Sequence, residues 1–175
     1  ESLDYAKERG IKFSFTPEDA TRSDWGLMED LFKMAEKAGA SRIGIADTTG
    51  SATPEAVGLL VRKIKCISKL PVSVHLHNDF GLALAGALAG IREGATHINS
   101  SVSGLGERAG NIPLEQLVAS LQVLYGMDLG IDMEGLTELS QVVAKYAKVS
   151  LSPHTPLVGN NAFSHESGIH VAAVL

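Results

Sequence analysis

"SRIGIADTTGSATPEAVGLLVRKIKCISKLPVSVHLHNDFG", residues 41–81, is the stretch on which the fold is decided. Its opening, "SRIGIA" (41–46), is short and apolar, as a buried strand is. Thr53-Pro54 then supply a helix N-cap and a first helical residue, and the helical pattern runs to about Ile67. "PVSVHLH" (71–77) returns as a second strand. Two strands joined through a helix run parallel, and a parallel sheet covered on both faces reads apolar along its strands.

The same unit recurs on either side. "IKFSF" (11–15) is a short strand followed by an amphipathic helix from about Trp25 to Ala38. The strand 71–77 leads through "NDFG" into a helix from about Leu82 to Glu93. "THINSSV" (96–102) leads through a long loop into a helix from about Leu114 to Tyr125. Strand starts near 11, 42, 72 and 97 are roughly 25–31 residues apart, the length of a βα unit. The fold class is α/β. Four consecutive units are half of a (βα)8 barrel, and a doubly wound sheet is the competing architecture. After residue 126 a helix from about Glu134 to Ala147 gives way to irregular sequence. The expected organisation is therefore residues 1–126 as the second half of a barrel and 127–175 as a linker and the start of a C-terminal helical subdomain. The chain opens without Met inside a helical pattern and closes in an apolar stretch, which reads as a segment of a larger protein.

Composition narrows the class. Of the residues, 45% are hydrophobic and 20% charged, the profile of a globular domain, and the net charge of −5 offers no basic stripe for nucleic acid. No apolar run approaches the roughly 20 residues of a membrane span. The single cysteine, Cys66, excludes an internal disulfide framework and fits a reducing, cytoplasmic setting.

Polar residues gather where each predicted strand ends: Thr16 and Glu18, Asp47 and Thr48, His75 and His77, then Ser103 to Asn111. Active sites of both competing architectures lie at that edge. One residue apart on a strand, His75 and His77 project from one face. A lone histidine there would read as a hydrogen-bonded core residue. Two on one face, followed by Asn78-Asp79, read as a ligand pair for a divalent ion completed by oxygen donors. Gly104-x-Gly106-x-x-Ala109 nominally fits a dinucleotide fingerprint. However, Pro113 marks the helix start several residues later, and no strand follows to carry the acidic residue that fingerprint needs. The glycines instead let the loop turn inward and aim Glu107, Arg108 and Asn111 at the site. Asp47-Thr48-Thr49-Gly50 reads equally as a simple turn or as donors for a substrate carboxylate. Glu18 reads as a first-turn helix charge or a general base. Arg22 and Asp24 read as surface or loop-ordering residues, and His97 and His154 as structural. His165 and His170, five apart, do not share a helical face.

Taken together, "FTPEDATRS", "ADTTG", "HLHNDFGLALA", "SGLGERAGN" and "PLVGNNAFSHESGIH" resemble the 2-isopropylmalate, homocitrate and citramalate synthase family of DRE-TIM metallolyases. The resemblance runs from about residue 11 to 175, with the motifs in family order. It implies the C-terminal half of a (βα)8 catalytic barrel. It also implies a metal-dependent acyltransferase that condenses acetyl-CoA with a 2-oxo acid and hydrolyses the thioester. The expected activity is 2-isopropylmalate synthase of leucine biosynthesis. Homocitrate and citramalate synthase are the near alternatives, and a hydroxymethylglutaryl-CoA lyase type of retro-Claisen enzyme or a non-catalytic half-barrel module the more distant ones. By position, His75 and His77 match the metal ligands and Asn111 a further ligand for Mg2+, Mn2+ or Zn2+. Thr48 matches the threonine that holds the 2-oxo acid carboxylate. Glu18 and His170 match the pair that deprotonates the acetyl methyl, with His170 reaching across a homodimer. The strand-1 motif that carries the remaining metal carboxylate and an arginine is absent from the chain. "VAAVL" after His170 departs from the "QDGVL" of many isopropylmalate synthases.

Overall fold

In the computed structural model, which describes residues 2–165, local capping sets where the helices begin and end. After α1 (Ser2–Glu8) and β1 (Ser14–Phe15), Asp24 accepts the Leu27 N–H and opens α2 (Trp25–Ala38). Gly39, at φ 96, closes it by donating to the Ala35 and Glu36 carbonyls. Met28, Phe32 and Ala35 recur at helical spacing and are buried. Thr53 caps α3 (Pro54–Ile67) through the Ala56 N–H, with Pro54 in the first turn, as the sequence predicts. The apolar stripe of α3 is Val57, Val61 and Ile64.

The strands β2 (Arg42–Asp47), β3 (Val72–Leu76) and β4 (His97–Ser101) join β1 in a parallel sheet. Registry pairs Phe15 with Ile43, Ile43 with Val72, Ala46 with His75 and His75 with Asn99. The two-residue β5 (Ile112–Pro113) follows, and the strand order is β1-β2-β3-β4-β5. A doubly wound sheet reverses its order at a switch point. Here order follows sequence without reversal, as the strands of a (βα)8 barrel do.

The two sheet faces differ sharply. One carries Phe15, Ile43, Ile45, Val72, Val74 and Leu76, and the helices pack on it. Phe15 meets Phe32 of α2 edge to face with ring centroids 6.4 Å apart. The fourth helix, α4 (Ala83–Arg92), is built from alanine and glycine because it is squeezed between β3 and α3. A Cβ on Gly86 would stand 2.7 Å from Leu76 Cδ1 and 3.4 Å from Val57 Cγ2, so a larger residue would force Leu76 to shift. The other face carries Thr16, Gly44, Ala46, Ser73 and His75, a polar set that leads up to the candidate site.

By internal packing the chain divides into Glu1–Ile112 and Pro113–Leu175. Within the second unit, α5 (Leu114–Ala119) runs into a π-helical turn, Ser120–Leu124, and α6 (Leu136–Ala147) follows. A buried hydrogen bond links the two helices, the Ser140 hydroxyl donating to Glu115 Oε1 at 2.7 Å. No helix among the described residues is long and apolar enough to cross a membrane.

Candidate active site

The βα loops converge at the C-terminal ends of β1 to β4 around a cavity of about 460 Å3. Glu18, Thr48, His75, His77 and Asn111 line it, whereas Arg108, which the sequence aims at the site, does not, because its guanidinium is turned to Asp79 and the Thr48 carbonyl. His170 lies outside the described residues. Thr16, Gly106 and Glu107 complete the wall with Ala46. Thr16 had been legible only as one more polar residue at a strand end.

His75 and His77 stand on one side, as alternation along a strand requires. Their rings are 5.0 Å apart between centroids and nearly perpendicular, at 86°. The regular strand ends at Leu76, however. His77 instead forms an isolated antiparallel bridge with Asn111, and the Asn78 N–H donates to the Gly110 carbonyl at 2.9 Å. This pairing places the loop after β4 directly against the end of β3. Burial holds the His75 imidazole below the ordinary histidine range, and the neighbouring His77 charge adds to the effect. A neutral ring keeps a lone pair available for a metal ion.

Two buried polar atoms in this wall make no hydrogen bond within the described chain: His77 Nδ1 and Asn111 Oδ1. Buried polar atoms are nearly always paired, so an orphaned ring nitrogen and an orphaned amide oxygen on two bridged residues leave lone pairs open to a ligand. Imidazole nitrogen and amide oxygen are donors that a divalent ion of borderline hardness accepts. The residues present therefore fit such an ion as part of its shell. Among the described residues, no group of three or more His, Cys, Asp or Glu side chains is arranged to hold a metal by itself.

At the end of the neighbouring strand β2, Thr48 Oγ accepts the Asp19 N–H at 2.8 Å. Its hydroxyl proton is then free to be donated elsewhere. Asp47 is buried and fully engaged: Oδ1 accepts the Thr21 hydroxyl at 2.8 Å, and Oδ2 accepts the Ala52 N–H at 2.9 Å. It shapes the turn and ties it to the loop after β1. Asp19 adopts φ 53, a left-handed conformation, immediately after Glu18. Arg22 pairs with Asp19 and Asp24 caps α2, the loop-ordering roles the sequence suggests.

A parallel sheet in sequential order, with polar residues gathered at the C-terminal ends of its strands, is the arrangement of part of a (βα)8 barrel. The particular family follows from comparison. Residues 1–143 match the HMGL-like family model, and the chain belongs to that family. It is 43% identical to a homocitrate synthase of Methanothermobacter thermautotrophicus over 174 residues, 99% of the chain and 44% of that protein. It is 45% identical to an (R)-citramalate synthase and 44% identical to a 2-isopropylmalate synthase, both of Methanocaldococcus jannaschii. Those matches cover 99% and 100% of the chain, and 35% and 34% of the relatives. The chain thus spans less than half the length of these curated relatives. In fold it is similar to the hydroxymethylglutaryl-CoA lyase of Pseudomonas aeruginosa, with a TM-score of 0.74 at 20% identity over 99% of the chain and 58% of that structure. The α/β fold, with the chain as part of a (βα)8 barrel domain, agrees with the sequence reading.

Proposed function

We propose that the parent enzyme joins the acetyl group of acetyl-CoA to the ketone carbon of a 2-oxo acid and then hydrolyses the thioester, acting as a 2-isopropylmalate synthase. The observation that carries this reading is the pairing of orphaned donors, His77 Nδ1 and Asn111 Oδ1, with Thr48 and Glu18 around one cavity. A divalent ion, Mg2+, Mn2+ or Zn2+, held by His75, His77 and Asn111 would polarise the substrate ketone as a Lewis acid. Thr48 donates its free hydroxyl proton to the substrate carboxylate. Glu18 takes a proton from the acetyl methyl, with His170 of the partner subunit in a homodimer as the second member of that pair. The methyl carbon then attacks the ketone carbon, and the new alkoxide oxygen takes up a proton. Water cleaves the thioester, releasing CoA as a thiol. A base and a stabiliser of developing negative charge are both needed because a thioester methyl is a weak acid.

Relatives named as homocitrate, citramalate and 2-isopropylmalate synthases lie at similar identity, so the 2-oxo acid is decided by experiment. Thiol release from acetyl-CoA is measured with the full-length protein, Mg2+ or Mn2+, and 2-oxoisovalerate, 2-oxoglutarate or pyruvate. The reading expects the highest kcat/KM with 2-oxoisovalerate. Preference for 2-oxoglutarate would reassign it as a homocitrate synthase, and preference for pyruvate as a citramalate synthase. No thiol release with any of the three would refute the condensing reaction. The likeness to hydroxymethylglutaryl-CoA lyases favours one second reading, the reverse carbon–carbon cleavage, which a lyase assay with hydroxymethylglutaryl-CoA tests directly.

A further inference from the structure

One ion pair gathers the loops that carry the site. Asp79 follows β3 and Arg108 lies in the loop after β4, and they meet in a two-pronged contact. Arg108 Nε donates to Asp79 Oδ1 at 2.8 Å, and Nη2 donates to Oδ2 at 2.9 Å. The same Nη2 donates to the Thr48 carbonyl at 2.6 Å. A single guanidinium thus ties together the loops after β2, β3 and β4. Gly50 makes the approach possible, because a Cβ there would stand 2.4 Å from Asp79 Oδ2.

The loop that Arg108 belongs to cannot hold its shape by local preference. Ser103 sits at φ 56 and Arg108 at φ 53, in the left-handed region that residues with a side chain rarely occupy. Such conformations persist only where surrounding contacts over-determine them. The backbone contributes the Asn111 N–H to the Gly104 carbonyl and the Asn78 N–H to the Gly110 carbonyl. Arg108 adds the side-chain tie. Each end of this tie is next to a wall of the cavity: Thr48 carries the acceptor carbonyl, His77 lies two residues before Asp79, and Asn111 lies three after Arg108.

We propose that the Arg108–Asp79 pair is a positioning latch that holds Thr48 and Asn111 in register with His77, and so sets affinity for both the divalent ion and the 2-oxo acid. Neither member lines the cavity, so the latch acts through the residues that do. The inference rests on the functional reading of that cavity. The planar guanidinium matters as well as its charge, since an ammonium offers no two-pronged geometry for a carboxylate.

The test uses the full-length enzyme with Arg108→Lys, Arg108→Gln, Asp79→Asn and the double variant Asp79→Asn/Arg108→Gln. Mn2+ binding is measured by calorimetry, with KM for 2-oxoisovalerate and for acetyl-CoA and the thermal midpoint recorded alongside. The latch predicts that the Mn2+ Kd and the KM for the 2-oxo acid each rise about tenfold or more in the single variants, whereas the KM for acetyl-CoA stays within about twofold. The double variant should be no worse than the worse single, because the pair acts as a unit. Arg108→Lys keeps the charge, so it carries the test if Arg108→Gln does not fold. Unchanged Mn2+ affinity in Arg108→Lys and Asp79→Asn, or effects that add in the double variant, would overturn the proposal. If the wild-type protein released no thiol, the functional reading would fail while Mn2+ calorimetry still judged the latch.

Discussion

Thr48 is bonded on both sides of its residue: its hydroxyl oxygen accepts the Asp19 N–H, and its carbonyl accepts Arg108. What remains free is one hydroxyl proton on a residue that lines the cavity, and that is the atom assigned to the substrate carboxylate. Thr48→Val removes it and should raise the KM for the 2-oxo acid by about 10- to 100-fold, the worth of a hydrogen bond to a charged group. Thr48→Ser should stay close to wild type. Steady-state kinetics decide it, and an unaltered KM in the valine variant would reject the assignment. His77→Ala should weaken Mn2+ binding by about a hundredfold or more while leaving the far-ultraviolet circular dichroism unchanged. At this scale Glu18, Thr48, His75, His77 and Asn111 were legible because each sits at or beyond the end of a predicted strand, whereas His170 rested on the resemblance alone. The Arg108–Asp79 contact was not, since its partners lie 29 residues apart and only the folded chain brings them together.

Helices α2 and α3 begin and end where the sequence places them, because Asp24, Gly39 and Thr53-Pro54 write those limits locally. Strand limits depend on partners distant in sequence. Thus β1 shrinks to Ser14–Phe15, and β3 stops at Leu76, where His77 turns to pair with Asn111. The expected helix from Leu114 likewise changes to a π-helical turn at Ser120. Packing of α4 on β3 gives a stability prediction. Gly86→Val forces a branched side chain against Leu76 and Val57 and should cost about 1–3 kcal/mol in urea denaturation. A second concerns pH. Arg62 Nε and Nη2 donate to Glu93 Oε2 and Oε1 at 2.8 and 2.7 Å, tying α3 to the end of α4. That hydrogen bonding, with the Arg62 charge, holds the Glu93 carboxyl below its ordinary value of 4.5. A depressed carboxylate contributes stability that is fully present above the ordinary value and is lost as pH falls through the lowered one. The thermal midpoint of wild type should therefore exceed that of Glu93→Gln by a constant margin from about pH 8 to 6, a margin that shrinks below about pH 4.5. A margin independent of pH would contradict the assignment.

At the scale of the molecule, the sequential parallel sheet puts the βα loops of the first unit at one edge, and the residues with chemistry follow. The βα repeat was legible as spacing, but spacing alone left barrel and doubly wound sheet open. Strand order separates them. His170 belongs to a part of the chain beyond the described residues, and its proposed role across a homodimer has its own test. Glu18→Gln and His170→Ala enzymes, each inactive alone, should regain about a quarter of wild-type activity when unfolded and reassembled together, since mixed dimers restore one intact site. No recovery would place both residues in the same subunit's site.

The central claim is that His75, His77 and Asn111 share one divalent ion at the end of β3. Anomalous diffraction at the manganese edge, from crystals of the full-length enzyme grown with Mn2+, tests it most directly. The account predicts a peak about 2.0–2.3 Å from a ring nitrogen of both histidines and within bonding distance of Asn111 Oδ1. A fully occupied manganese peak elsewhere, with His77 Nδ1 and Asn111 Oδ1 bonded to protein groups instead, would contradict it.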